Sequence, residues 1–285
     1  MKLNCLAILF VCQGLIFVKG LLNGNLVEWN QYRSLVKVLA RSENLDVQSC
    51  TGSLISPSLI LTASECVIHR TARVRMSEFL VIMTQADKTI RKLSGKLVDL
   101  AEDWALLQIS PQNISELCLP YPAPNGITRL NLKPSLLSPA FLDIPNSSIG
   151  KLNCHILGFV HTDKASDFVK QQKVFKMDLE HLTETVSDNQ KIYRSRIFMN
   201  YTACFDDTGT ALICNVMGYG PLQLGMFQSL NVASDKEMDL NSSSVCSQAL
   251  DMQFSISVKD EWLVAAIQRH SFAELVAAYK LCQFI

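Results

Sequence analysis

Short apolar runs of three to six residues, each closed by turn residues, recur along most of the chain. They occupy 34–39, 52–55, 59–62, 79–83, 105–109, 154–158, 211–214, 225–227 and 254–258. Runs this short, bounded by Gly, Pro, Ser and Asn, predict strands, and their spacing suits an antiparallel barrel or sandwich rather than alternating β and α units. Pro120-Tyr-Pro-Ala-Pro124, followed by Asn125-Gly126, predicts an extended connector that divides the chain into comparable halves. The rhythm changes at Trp262. Leu263, Ile267, Leu275, Tyr279 and Cys282 then follow an i, i+4 spacing, with Gln268, Arg269, Glu274 and Lys280 between them. That spacing predicts an amphipathic terminal helix over about 261–285, packed on its own domain.

The first residues break this pattern. Lys2 precedes the apolar stretches 6–10 and 15–18, and Val18 and Gly20 are small enough to flank a cleavage point. The segment predicts a secretory signal over 1–20, leaving 285 − 20 = 265 residues from Leu21. A membrane anchor is the alternative, but Gln13 and Gly14 interrupt the apolar length that a bilayer demands. The whole chain balances 26 basic against 26 acidic residues. Losing Lys2 and Lys19 leaves 24 − 26 = −2. This balance disfavours a nucleic-acid or polybasic membrane surface, so no nucleic acid and no membrane after cleavage are expected as partners. With 48% hydrophobic residues, the chain has ample material for a core and is not disordered by composition.

Cysteine usage changes the picture further. Removing Cys5 and Cys12 leaves eight, at 50, 66, 118, 154, 204, 214, 246 and 282. An even number in an oxidising compartment predicts disulfides, although spacing alone does not choose among the pairings. CxxC and HExxH spacings are absent and the five His are scattered, so no metal and no cofactor are expected. Sequons at Asn113, Asn146, Asn200 and Asn241 predict surface glycans in an exported chain.

One constellation carries chemistry. Ser49-Cys-Thr-Gly-Ser-Leu-Ile, Leu61-Thr-Ala-Ser-Glu-Cys66, Asp103-Trp-Ala-Leu-Leu107, Cys118-Leu-Pro120, Cys154-His-Ile-Leu-Gly158, Cys204-Phe-Asp-Asp-Thr-Gly-Thr-Ala-Leu-Ile-Cys214 and Leu222-Gln-Leu-Gly225 run in that order. As an ordered set they resemble the landmarks of the trypsin-like, chymotrypsin-fold serine proteases, from Leu21 to about Trp262. The resemblance implies an all-β fold of two antiparallel six-stranded barrels, one over about 21–117 and the other over about 127–260, with a C-terminal helix.

Carried over residue by residue, the resemblance implies a damaged catalytic apparatus. Glu65 stands where the family has its general-base His, and Thr208 where it has its nucleophilic Ser. Asp103 keeps the orienting carboxylate, and Asp206 replaces a Gly whose N–H helps build the oxyanion hole. An imidazole accepts a hydroxyl proton near neutral pH while a carboxylate steadies its charged form. Glu65 beside Asp103 leaves no such cation to steady. The Thr208 methyl restricts χ1 and crowds attack. Losing one oxyanion donor typically costs about 2.7–4 kcal/mol. Thr202 replaces the Asp of the specificity-pocket floor, and Gln228-Ser-Leu230 is the best match to the family's S-W-G. A Thr208–Glu65 hydroxyl–carboxylate pair is a weak nucleophilic device, because a carboxylate is a poor base for an alcohol. A cation held by Glu65, Asp103 and Asp206 is a further alternative, without EF-hand spacing.

The resemblance also implies the disulfides Cys50–Cys66, Cys154–Cys214 and Cys204–Cys246, and leaves Cys118 and Cys282, which are expected to pair. It implies that a new amino terminus, here Leu21, pairs with Asp207 without a zymogen stage. The expected function is therefore that of a secreted, non-catalytic serine protease homologue acting by protein binding. Pseudoproteases of this kind serve as cofactors, decoys or carriers in fluids such as haemolymph or seminal fluid, in reproduction or immunity. Its partners are expected to be extracellular proteins. The expected contact surfaces are the cleft around Glu65 and Thr208, the loop over 231–246 and the terminal helix. The alternatives are a weak hydrolase using Thr208 and a structural secretion component linked through an unpaired cysteine.

Overall fold

The computed structural model describes residues 24–43, 45–112, 121–122, 153–159, 172–179, 182–187, 190–197, 202–216, 220–232, 246, 249–255, 263, 265–267 and 269–270. Leu21, the four sequon asparagines, Cys118 and Cys282 lie outside the described residues.

Strand β1 (Asn25–Glu28) comes first in the chain but joins the second half of the fold. Strands β2 (Leu35–Arg41), β3 (Gln48–Leu54), β4 (Leu59–Ala63), β5 (Glu78–Thr84), β6 (Ile90–Leu100) and β7 (Trp104–Gln108) close an antiparallel barrel in the order β2-β3-β4-β7-β6-β5. Closure removes exposed edges, and β5 returns to β2 with Val38 opposite Val81. Alternation along each strand divides the side chains between two sides. Val36, Val38, Ile60, Ala105 and Leu107 fill the barrel. Their neighbours Leu59, Leu61, Trp104 and Leu106 instead join the core of the second half. Strands β4 and β7 are thus walls buried on both faces, which is why they read as unbroken apolar runs.

The second half contains β8 (Tyr121–Pro122), β9 (Asn153–Phe159), β10 (Lys173–Leu179), β11 (Thr183–Ser187), β12 (Gln190–Arg196), β13 (Ala211–Val216), β14 (Gly220–Val232) and β15 (Ala249–Ser255). With β1 they form a sheet in the order β1-β10-β9-β13-β14-β15-β12-β11, and β8 pairs in parallel with β14. The sequence predicts a second six-stranded barrel, whereas the described residues give a nine-stranded sheet. The additions have simple causes. The incoming chain lies along the free edge of β10, β11 folds back on β12 as a hairpin, and the interbarrel connector runs beside β14.

The two halves meet at a third apolar cluster of Trp29, Leu35, Ile82, Leu157, Phe159 and Val174. Trp29 donates its indole N–H to the Leu35 carbonyl at 3.0 Å and stacks edge-on against Phe159 at 4.9 Å. The terminal helix is present at residues 263, 265–267 and 269–270. Leu263, Ala266 and Ile267 bury into the core of the second half, as the amphipathic pattern requires. Cys282 and the rest of the predicted helix lie outside the described residues. Among the described residues no helix is long and apolar enough to cross a membrane.

Disulfides join Cys50 to Cys66, Cys154 to Cys214 and Cys204 to Cys246. All three match the pairing that the family resemblance implies.

Candidate functional site

Two tight turns face each other across this seam. The 3-10 turn Ser64–Cys66 ends β4 and is held to the loop before β7. The Ser64 hydroxyl donates to the Glu102 carbonyl at 2.6 Å, and the Ser64 N–H to the Asp103 carbonyl at 3.2 Å. The second 3-10 turn, Phe205–Asp207, leads into Thr208 and Gly209. Its Asp207 N–H donates to the Cys204 carbonyl at 2.9 Å, and the Asp207 carboxylate accepts the Cys204 N–H at 3.0 Å.

Thr51 on β3 binds the second turn to the first barrel. Its N–H donates to the Thr208 carbonyl at 3.0 Å and its hydroxyl to the Asp206 carbonyl at 3.3 Å. The approach is so close that only glycine fits next. Gly209 has φ +86°, and a Cβ there would stand 2.3 Å from the Thr51 carbonyl oxygen and 2.6 Å from Thr62 Oγ1. The Thr208-Gly209 dipeptide is therefore fixed by barrel contacts, whatever chemistry its hydroxyl performs.

Thr208 is 2% exposed. Its hydroxyl accepts a hydrogen bond from Arg70 Nη2 at 3.0 Å. Arg70 follows the second cysteine of the Cys50–Cys66 bridge by four residues, on a hairpin closed by the Ile68–Arg75 bridge. The Arg70 N–H donates to Gln48 Oε1 at 3.2 Å, while Gln48 Nε2 donates to the Glu65 carbonyl. Arg73 N–H donates to the His69 carbonyl at 2.9 Å, and His69 N–H to the Val74 carbonyl at 2.7 Å. Gln48 thus couples the Glu65 turn to the hairpin that presents the guanidinium.

The residues that the family resemblance singles out have different surroundings. Thr208 and Asp206 share the turn that Thr51 holds, and Asp206 is half-buried. The Glu65 side chain is exposed to solvent. Asp103 is half-buried, and its carbonyl takes both Ser64 N–H and, at 3.2 Å, Gln228 Nε2. Gln228 also donates to the Ser255 carbonyl at 3.2 Å, so it ties β14 to β15 and to the Asp103 loop. Thr202 is fully buried, with its hydroxyl donating to the Ala203 carbonyl at 2.9 Å. Glu65, Asp103 and Asp206 do not form a cation site: among the described residues no three His, Cys, Asp or Glu side chains are placed to hold a metal.

Two imidazoles lie among the described residues of these elements, each with contacts of its own. His69 Nδ1 accepts the Ala72 N–H at 3.0 Å. His155 on β9 lies against Tyr32 at 6.1 Å between ring centres. Burial pushes its pKa down to about 4, assisted by the Lys176 charge and opposed by Asp178.

Arg70 is the residue beside Thr208 that sequence reasoning misses. No motif spacing points to it, because its role depends on how the 69–75 hairpin folds back over the seam. A guanidinium has five donors, no acceptor and a permanent charge, so it cannot take a proton from Thr208. It can hold the hydroxyl oxygen in place and occupy the approach that a base would use.

Comparisons with known proteins agree with this architecture. The Trypsin family model matches residues 23–237. A solved structure described as HL collagenase has a TM-score of 0.58 and 13% sequence identity, covering 85% of this chain and 96% of its own. At that identity the likeness concerns the fold alone. A comparison with curated proteins returns no match. A trypsin-like domain carrying three disulfides is typical of extracellular proteins. The family match spans well over half of the sequence, and this chain therefore belongs to the trypsin family.

Proposed function

We propose that the protein is a secreted trypsin-family homologue that works by binding other extracellular proteins and does not hydrolyse peptide bonds. The observation that carries this reading is the 3.0 Å hydrogen bond from Arg70 to the Thr208 hydroxyl. Acyl transfer in this fold needs a neutral acceptor beside the nucleophile that becomes a cation as the proton moves. Here the neighbour is already a cation and has no lone pair to offer. Glu65, at the position of the family's base, turns its side chain to solvent. Thr208 itself is almost wholly buried.

What this scaffold offers instead is a disulfide-fastened frame. Loops on such a frame are where contacts with partners concentrate. The 69–75 hairpin, with Arg73, Val74 and Arg75 exposed, adds to the expected contact surfaces beside Glu65. The apolar leader expected over 1–20 and the disulfide content support export.

The test is hydrolysis of a broad panel of peptide and ester substrates by the purified, glycosylated protein beside its Thr208→Ala variant. Both are expected to match the buffer blank. A rate that the substitution abolishes overturns the binding-only reading and favours a hydrolase using Thr208. A disulfide-linked multimer on non-reducing electrophoresis would favour the structural alternative.

A further inference from the structure

The seam between the two halves holds one group that an apolar interface does not need. Lys37 lies in the middle of β2, between Leu35 and Leu39, and is 9% exposed. Val36 and Val38 point into the barrel, so the alternation of the strand sends Lys37 outwards into the seam. There its ammonium sits over the Phe159 ring at 5.3 Å from the centroid.

Register fixes what else it faces. Lys37 is directly opposite Thr51 in the β2–β3 ladder, and cross-strand partners project on the same face. Thr51 is the residue whose hydroxyl and N–H hold Asp206 and Thr208. The long lysine side chain therefore extends on the same side as the 205–207 turn. Burial holds the ammonium below the ordinary lysine range, while the negative charges of Asp206 and then Asp207 act in the opposite sense. Two carboxylates stand side by side in this turn, and Asp207, which accepts the Cys204 N–H, is only 1% exposed, so a cation on the same face favours their charged forms.

We propose that Lys37 is a built-in counter-ion for the Asp206–Asp207 turn, which lets the turn keep its conformation whether or not the chain's amino terminus is free. The family resemblance assigns the balancing charge to a newly exposed terminus, which ties order in the turn to a cleavage event. A cation carried on a barrel strand is present as soon as the barrel folds. The turn then needs no maturation signal, which suits a protein whose task is to present a fixed surface.

A double-mutant cycle on the otherwise complete mature chain tests this. Urea unfolding is measured for Lys37→Met, Asp206→Asn, Asp207→Asn and the two doubles that include Lys37→Met. Lys37→Met is expected to raise the unfolding equilibrium constant by about tenfold or more. In a background lacking either carboxylate, that rise is expected to shrink. Additive effects with both carboxylates overturn the proposal, and coupling with either supports it. If Lys37→Met does not accumulate as folded protein, recovery of folding in a double variant supports the pairing and failure in both overturns it. A second arm compares chains that begin at Leu21 with chains carrying three added residues ahead of it. Equal unfolding midpoints are expected. A loss on extension as large as that of Lys37→Met overturns the claim that the terminus is dispensable.

Discussion

At the scale of single residues, the site is decided by which atoms can accept a proton. Thr208 keeps a hydroxyl, but the group it meets is the Arg70 guanidinium. The departures that the family resemblance implies at 65, 206 and 208 are read from the sequence, because landmark motifs stand on either side of them. Arg70 is not legible, since nothing in its local spacing distinguishes it from Arg73 or Arg75 on the same hairpin. Only the backbone bonds of that hairpin select which side chain reaches the seam. His155 supplies a residue-scale prediction. Its pKa falls from 6.5 in the unfolded chain to about 4 in the fold, so the unfolded state binds the extra proton between those values. Its neutral form thus contributes stability that is complete above the unfolded value and is lost as pH drops towards the folded one. The expected loss from this group is about 3 kcal/mol across that window. Between pH 7 and pH 4 the unfolding midpoint of the protein should fall more steeply than that of its His155→Gln variant. Parallel curves would refute the assignment.

At the scale of elements, burial explains what the hydrophobic pattern reveals and what it hides. Strands β4 and β7 are legible because both of their faces are covered, so Leu59-Ile-Leu61 and Trp104-Ala-Leu-Leu107 read as continuous apolar runs. Strand β6 is the longest in the first barrel, yet Arg91, Lys92, Ser94 and Lys96 face solvent and dilute its signal. Strand β1 is hidden for another reason: it is four residues long and takes its place only from the edge of β10. The three disulfides belong to this scale too, since each ties an element to its neighbour. Cys204–Cys246 closes a loop of 42 residues that includes the Thr208 turn and the long strand β14. Replacing both cysteines with serine should lower stability by about 2–4 kcal/mol, read from urea unfolding. A change within error would show that this loop is held by packing and not by the bridge.

At the scale of the whole molecule, a barrel and a nine-stranded sheet share a seam in which apolar packing and a few buried polar groups coexist. Leu263, Ala266 and Ile267 of the terminal helix complete the sheet's core, and Arg269 pairs with Asp99 on β6 to link that helix to the barrel. An exposed pair of this kind contributes about 0–1 kcal/mol, so the apolar contacts do most of the holding. The Thr208 turn keeps a left-handed Gly209, packed against the Thr51 carbonyl of the barrel. Beside the Thr208 hydroxyl stands the Arg70 guanidinium. The central proposal is that this hydroxyl is not an activated nucleophile. Its most direct measurement is mass spectrometry of the intact protein after incubation with a fluorophosphonate, a probe that phosphonylates activated hydroxyls. The account predicts an unchanged mass. One phosphonyl group mapped to Thr208 would contradict it.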